Sequence, residues 1–161
     1  MPVDQSIAAV SGAGIAAKAI EVAGAAAGKP YTWGGKTTAG FDCSGFVSYI
    51  FAALFANASA SYQMNVAGYK TSTLFEDVED ADKKPGDIVI FPASGGAPNH
   101  IGIVLDSVTW IGSQSSTGVK DVKFSNPYWG ERTRKIRRPC GLSTVAMNAG
   151  RGVLSAATVM A

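Results

Sequence analysis

The sequence has few of the residues from which metal sites and disulfide frameworks are built. Its 161 residues include two cysteines, Cys43 and Cys140, and one histidine, His100. Two cysteines form at most one disulfide, and that bond would consume Cys43. A single histidine without a C-x-x-C pair lacks the usual ligand pattern of zinc. The scarcity of both residues favours a lone reactive thiol over a disulfide or a zinc site.

Charge is also scarce, since charged residues make up 16% of the chain and its net charge is +2. So small an excess argues against a nucleic-acid partner. A basic run does stand near the end of the chain, at Arg132, Arg134, Lys135, Arg137 and Arg138. We interpret this run as a solvated edge strand, with a binding patch as the less favoured alternative.

The beginning of the sequence lacks the features of a secretory signal or a membrane anchor. Its first charged residue is Asp4, and no basic segment precedes the uncharged run at residues 5–17. That run is too short to span a bilayer, and Lys18 follows it. We therefore expect a protein that is made in the cytoplasm without a signal peptide, stays off the membrane and is a monomer.

The length and the 47% of hydrophobic residues predict one folded domain over residues 1–161. We place its core at about residues 15–139 and leave the role of the tail, residues 140–161, open. Apolar spacing predicts a helix over residues 15–27. A second helix is expected to begin near Cys43, because Asp42 is a good N-cap residue. Residues 57–84 contain an acidic cluster that we interpret as a solvated loop.

From Pro85 onward the hydrophobic period changes to two, which indicates strands. We expect strands at residues 87–91, 100–105, 109–114, 119–124 and 133–138. Helices that come before the strands indicate an α+β fold with an antiparallel sheet.

Cys43 and His100 are the residues with the clearest chemical potential. A cysteine at a helix N-terminus is expected to have a lowered pKa, because free N–H groups stabilise the thiolate. His100 is the only imidazole, and it lies where a strand follows a Gly/Pro-rich loop. Composition alone leaves two alternatives open: a buried, inert thiol and a structural histidine.

Four blocks of residues carry a resemblance. They are residues 28–35, 40–46, 84–91 and 99–105, which read GKPYTWGG, GFDCSGF, KPGDIVIF and NHIGIVL. In this order and spacing they resemble the NlpC-type family of papain-like cell-wall peptidases. The resemblance runs from about residue 15 to residue 139.

The resemblance implies a papain-like fold with N-terminal helices packed on a sheet of five to six antiparallel strands. It implies a cysteine endopeptidase that hydrolyses peptidoglycan stem peptides, usually at the bond between γ-linked D-glutamate and a diamino acid. Cys43 would be the nucleophile and His100 its base, without a metal or other cofactor. Tyr31 would line the active site, and Asp42 and Ser44 would bind the amino end of the stem peptide. Asp42 as a simple N-cap and Tyr31 as a packing residue are the alternatives.

The chain departs from the family pattern at the residue that orients the base. That position holds Gly112 here. Because side chains alternate along a strand, Gln114 would face the same way as residue 112, and an amide can hydrogen-bond an imidazole. We therefore predict Gln114 as the third catalytic residue. The alternative is a dyad in which a backbone carbonyl orients His100.

The route to the cell wall stays open in the sequence. Without a signal peptide, we expect export by a non-classical route and action on the periplasmic wall of target bacteria, as an antibacterial effector of a contractile, type VI-like secretion system. Such a toxin implies an immunity protein that covers the Cys43 cleft. A phage lysin and a muropeptide-recycling enzyme fit the same residues. A papain-like acyltransferase and a non-catalytic binding module are alternatives from other classes.

Overall fold

The computed structural model describes residues 10–55 and 59–142. Helix α1 spans Gly12–Ala25 and buries Ile15, Ala19 and Val22 along one side. It begins three residues before the expected start because the Ser11 hydroxyl caps it, accepting a hydrogen bond from the Gly14 N–H at 2.9 Å. The Ala/Gly/Ser-rich composition of residues 1–14 predicts a loosely ordered start. This prediction is wrong for residues 12–14, and residues 1–9 lie outside the described part.

Helix α2 spans Cys43–Leu54, and the short helix α3 spans Val66–Thr71. A two-stranded hairpin, β1 at Lys36–Thr37 and β2 at Gly40–Phe41, leads directly into α2. Two 3₁₀ turns lie at Ser59–Tyr62 and Asp80–Asp82. Among residues 10–55 and 59–142, no helix is both long and apolar enough to cross a bilayer.

Six strands form one antiparallel sheet, which confirms the α+β prediction. The strands are β3 at Phe75–Val78, β4 at Ile88–Phe91, β5 at His100–Val104, β6 at Thr109–Gln114, β7 at Gly118–Lys123 and β8 at Lys135–Pro139. Their order across the sheet is β3-β8-β4-β5-β6-β7. In the β4–β5 pair, Phe91 lies opposite His100, so the first residue of β5 is held at the end of a ladder.

The sheet is buried on both faces, which explains why β4 and β5 read as almost continuous apolar runs. Helices α1 and α2 cover one face and pack on Ile88, Ile90, Ile101 and Ile103. A smaller cluster covers the other face, and its buried members are Val89, Phe91, Val104, Trp110, Phe124 and Ile136. Cys43 belongs to the first cluster, whereas the ring of His100 contacts Phe91 and Trp110 of the second. The start of β5 is where the two clusters meet.

Two interpretations of the charged segments are wrong. The basic run is not a solvated edge, because β8 lies between β3 and β4. The acidic segment is not simply a loop, because it contains β3. Side-chain ion pairs join these segments: Arg137 to Asp77 at 2.9 Å and Arg134 to Asp80 at 2.7 Å. Arg138 pairs with Asp87, directly before β4, at 2.7 Å. The partners are more than 50 residues apart, so no local pattern reveals them.

The extent of the domain stays a prediction. The described residues contain the whole of the predicted core, about residues 15–139, apart from residues 56–58. The tail is described only as far as Leu142, which packs against the helix-covered cluster. Residues 143–161 lie outside the described part, and with them most of the predicted tail.

Gly45 allows the loop that precedes α2 to approach the helix. A Cβ atom on Gly45 would lie 2.0 Å from the Gly35 carbonyl oxygen, whereas one on Gly24, in α1, would meet nothing within 4 Å. We expect Gly45→Ala to lower the free energy of unfolding by about 2 kcal/mol, because backbone atoms must move. Gly24→Ala should raise it by up to about 1 kcal/mol, since alanine favours the helix.

Urea denaturation of both variants measures this difference. The two substitutions make the same chemical change in a helix, so Gly24→Ala controls for helix propensity. A Gly45→Ala protein as stable as the wild type would contradict the close approach of Gly35 to α2.

Candidate active site

A cleft of about 1070 Å³ lies where the loop before α2, the start of β5 and the end of β6 meet. All six residues predicted from the sequence line it: Tyr31, Asp42, Cys43, Ser44, His100 and Gln114. The fold therefore brings together side chains from four segments of the chain. The volume is at the upper end of the range for small-molecule sites, so the cleft has room for a peptide segment.

The Asp42 carboxylate joins the glycine-rich loop to the start of α2. Its Oδ1 accepts a hydrogen bond from the Gly45 N–H at 2.6 Å, and its Oδ2 accepts one from the Gly34 N–H at 3.0 Å. The Asp42 N–H in turn donates to the Gly35 carbonyl at 3.0 Å. Asp42 is thus the N-cap of the helix that carries Cys43. Its role in binding a substrate amine stays a prediction.

The Cys43 thiol is free and buried, with 9% of the residue exposed. Burial raises its pKa, and the nearby Asp42 carboxylate adds to the effect. Backbone N–H groups of Ile101, Ser44 and Cys43 itself act in the opposite direction, but burial outweighs them. The expectation of a lowered pKa is therefore wrong, because a helix N-terminus does not replace the water that this sulfur has lost.

His100 forms a hydrogen bond with Gln114, 3.1 Å from Nε2 to the amide oxygen Oε1. The amide orientation follows from its other partner, because the Gln114 Nε2 donates to the Lys120 carbonyl at 3.2 Å and a carbonyl can only accept. The His100 Nε2 must then carry the proton, which leaves Nδ1 with its lone pair. This geometry suits a base; the catalytic role of Gln114 stays a prediction.

Gly112 provides the space that the Gln114 amide occupies. A Cβ atom at Gly112 would lie 2.8 Å from the Gln114 Oε1, and it would also approach the Trp110 ring and the Ile101 carbonyl within 3.2 Å. A larger residue at position 112 would therefore displace the amide. The glycine at the family's usual position and the glutamine two residues later are two parts of one arrangement.

The imidazole of His100 is buried, with 7% of the residue exposed. Burial lowers its pKa to about 4; the Gln114 hydrogen bond opposes this shift, and the Arg132 guanidinium adds to it. These two shifts favour the neutral forms of both His100 and Cys43 near pH 7. The thiolate–imidazolium pair that the resemblance to papain-like peptidases implies is therefore not the favoured resting form.

Sequence reasoning missed Trp129, whose ring lies 4.7 Å from the His100 ring, centroid to centroid, at 30°. It follows Tyr128 in a segment that also contains Pro127 and Gly130. Two adjacent aromatic residues in such a segment were the available signal, since aromatic residues in loops often belong to sites. Their partner could not be identified without the fold.

Tyr31 and Ser44 line the cleft together with Asp42 and Cys43. Burial raises the pKa of Tyr31, and the nearby Cys43 and Asp42 groups contribute, which places its hydroxyl close to both. Ser44 also lines an adjacent pocket of about 350 Å³. Trp33, at the rim of the main cleft, is 87% exposed, so its packing does not hold Tyr31 in place.

No cluster in the described part of the chain offers the ligands of a metal ion. Among residues 10–55 and 59–142, no group of three histidine, cysteine or acidic residues lies close enough to hold one.

Comparison with known proteins gives one family. The model of the NlpC/P60 family matches residues 28–138. The Bacillus subtilis (strain 168) protein named probable peptidoglycan endopeptidase LytE is 36% identical over 122 residues, which cover 75% of this chain and 34% of that protein. The Escherichia coli (strain K12) protein named murein DD-endopeptidase MepS/murein LD-carboxypeptidase is 31% identical over 111 residues, 69% of this chain and 56% of that protein.

Among solved structures, the NlpC/p60 domain of the peptidoglycan hydrolase SagA superposes with a TM-score of 0.56 at 28% identity. The match covers 79% of this chain and 98% of that domain. A family protein from Bacillus cereus ATCC 10987 has a TM-score of 0.58 at 22% identity, which shows the fold alone. The chain spans 34% and 56% of the lengths of the two curated relatives.

The depressed pKa of His100 predicts a loss of stability in acid. Its pKa falls from 6.5 to about 4 on folding, so between these values the unfolded chain binds more protons than the folded one. The free energy of unfolding should decrease by about 3 kcal/mol from this group as the pH falls through that window. His100→Gln cannot titrate and should lack this part of the decrease.

Urea unfolding of wild type and His100→Gln at about pH 7 and about pH 4 measures the effect as a difference. Carboxylates titrate in both proteins and cancel in the comparison. An identical loss of stability in the two proteins would show that folding does not depress the pKa of His100.

Proposed function

Because this chain belongs to the NlpC/P60 family, we propose that it is a cysteine endopeptidase that hydrolyses the stem peptides of peptidoglycan. One observation carries the proposal. Cys43, at the first turn of α2, shares a cleft with a neutral His100 whose Nε2 is held by Gln114. Two curated relatives and a structural neighbour are named as wall endopeptidases or hydrolases. Since this chain spans only part of those relatives, their activities support the proposal rather than establish it.

The neutral pair indicates how the reaction starts. His100 Nδ1 takes the thiol proton as the Cys43 sulfur attacks the peptide carbonyl, so the charges appear only as the bond forms. The imidazolium then protonates the leaving amine, and an acyl-enzyme remains. His100 next removes a proton from water, which attacks the thioester. The C–S bond then breaks, the acid leaves, and the imidazolium returns its proton to the Cys43 sulfur. The backbone N–H of Cys43, at the open end of α2, is the proposed donor to the oxyanion.

The proposed substrate contacts lie on the Asp42 side of the cleft. Each Asp42 oxygen accepts one backbone hydrogen bond and has a further lone pair, so the carboxylate can also bind an ammonium group. With Ser44 and Tyr31 beside it, this side suits the amino end of a stem peptide. We therefore propose cleavage between γ-linked D-glutamate and the diamino acid. The bond choice rests on the family resemblance and on this placement.

Delivery and partners remain predictions from the sequence. We propose action on the periplasmic wall of target bacteria, because the substrate is found there. The effector role, the immunity protein, the monomeric state and the lysin and recycling alternatives depend on the genes and conditions around this protein. The acyltransferase alternative depends on the fate of the acyl-enzyme, and digestion of muropeptides reveals that fate.

Digestion of purified muropeptides tests the proposed reaction. We expect the wild-type protein to release fragments with a new free amine on the diamino acid. Cys43→Ala should release none, because no other described group in the cleft replaces the thiol. Cys140→Ala is the matched control and should retain activity, since Cys140 does not line the cleft.

Mass spectrometry of the fragments identifies the bond. Cleavage by Cys43→Ala would show that Cys43 is not the nucleophile. If the wild-type protein leaves muropeptides intact while active relatives cleave them as positive controls, the proposed hydrolase activity is wrong. An acyl group that is passed from Cys43 to an added amine, without net hydrolysis, would favour the acyltransferase. A fragment cut elsewhere in the stem would correct the bond and retain the enzyme class.

Gln114 should contribute less to turnover than His100. Gln114→Ala removes the acceptor of the Nε2–H group but keeps the base, so we expect kcat/KM to fall by about tenfold to a hundredfold. His100→Ala removes the base itself and should lower kcat/KM by about a hundredfold to ten-thousandfold. Muropeptide kinetics on both variants measure the difference. Wild-type kinetics in Gln114→Ala would leave a Cys43–His100 dyad.

A further inference from the structure

The ring of His100 is enclosed by aromatic side chains on the face of the sheet opposite the helices. Trp129 lies against it at 4.7 Å and 30°, and Trp110 approaches with its centroid at 5.8 Å and 64°. Trp129 also packs on Phe91, the residue opposite His100 in the β4–β5 ladder, at 4.9 Å. The imidazole therefore has little freedom to turn away from Gln114.

Arg132 holds the segment that leads into His100. Its Nη2 donates hydrogen bonds to the Pro92 carbonyl at 2.8 Å and to the Pro98 carbonyl at 3.0 Å. Pro92 follows β4 and Pro98 lies two residues before His100, so one guanidinium joins both ends of the β4–β5 connection. The same guanidinium lies over the Trp129 ring, 5.2 Å from its centroid. Arg132 thus fixes both the entry to β5 and the ring that covers His100.

The hydrogen bonding of Arg132 is incomplete. Within the described part of the chain, its Nε is one of two buried side-chain nitrogen or oxygen atoms without a hydrogen-bond partner. A buried donor without a partner costs stability. A residue that served the fold alone would gain from a better-satisfied position. This placement instead brings a permanent positive charge close to the imidazole.

The residues around His100 include both neutral and charged groups. The Cys43 thiol of α2 lines the same cleft as His100. The neutral Gln114 of β6 is hydrogen-bonded to the imidazole, and the apolar Phe91 of β4 contacts its ring. Further charged residues that line the same cleft are Asp42, Lys120, Asp121 and Lys123. Arg132 also lines this cleft, and its positive charge lowers the pKa of His100. Burial and the Gln114 hydrogen bond have larger effects on that pKa.

We propose that Trp129 and Arg132 are positioning residues that keep the His100 imidazole neutral, protonated at Nε2 and directed at Gln114, with Nδ1 available to the thiol. Trp129 excludes water and blocks rotation of the ring. Arg132 holds the connection and disfavours a second positive charge. The inference rests on the proposed function for what the thiol then does, but the state of His100 can be measured without any substrate.

The chain contains a single histidine, so NMR reports on His100 without ambiguity. We expect the wild-type imidazole to titrate far below 6.5 and its ¹⁵N shifts to show the Nε2–H tautomer. Arg132→Gln and Trp129→Ala should each raise the pKa by about one unit, since they remove a cation or admit water. Trp129→Ala should also mix the two tautomers.

Three variants separate this role from a structural one. Arg132→Lys keeps the charge and Trp129→Phe keeps a stacked ring, so both should retain most of the wild-type pKa. Arg134→Gln is the matched control for loss of charge. Arg134 lies in the same segment but pairs with Asp80 and covers Phe124, and its loss should leave the pKa of His100 unchanged.

Kinetics provide the second measurement. In Arg132→Gln, the acidic limb of the plot of kcat/KM against pH should shift to higher pH by the same amount as the NMR pKa. The reason is that His100 must lose its proton to act as a base. An unchanged pKa and tautomer in folded Arg132→Gln and Trp129→Ala would overturn the proposal. If the wild type hydrolyses no muropeptide, the proposed function fails, and the NMR titration still decides the role of the two residues.

Discussion

The two oxygens of the Asp42 carboxylate accept hydrogen bonds from two different parts of the backbone, Gly45 in α2 and Gly34 in the loop before it. The side of the cleft that carries the thiol depends on this bridge. It sets where α2 begins, and therefore where the Cys43 sulfur lies. It also holds the loop that carries Tyr31 against the helix. The glycines of the motif follow from the same contact, because side chains at positions 35 and 45 would collide with backbone oxygens.

The fold places two ionisable groups in surroundings that disfavour charge on either of them. Burial raises the pKa of Cys43 and lowers that of His100. A helix N-terminus is often credited with producing a resting thiolate, but N–H groups compensate only part of the hydration that a buried sulfur loses. Reactivity in this cleft would then arise as substrate is attacked, and a neutral thiol is less exposed to side reactions in the meantime.

Much of this arrangement could be predicted from the sequence, since local patterns determine it. Asp42 before an apolar stripe indicated the start of α2, and the segments predicted as strands after Pro85 include β4, β5 and β6. What could not be predicted depends on distant partners. Strand β3 was missed because Asp77 is an unremarkable acidic residue until Arg137 pairs with it 60 residues later. Trp129 was missed for the same reason, because only the folded sheet brings its ring to His100.

Gly112 has a consequence for how such chains are recognised. Its missing side chain leaves a slot on β6, and an amide from the same strand face, one pleat further along, fills it. In this chain the acceptor of the imidazole thus lies two residues along the strand from the position that glycine leaves open. A search that demands a polar residue at a fixed distance from the histidine would classify this chain as degenerate, although its imidazole has an acceptor.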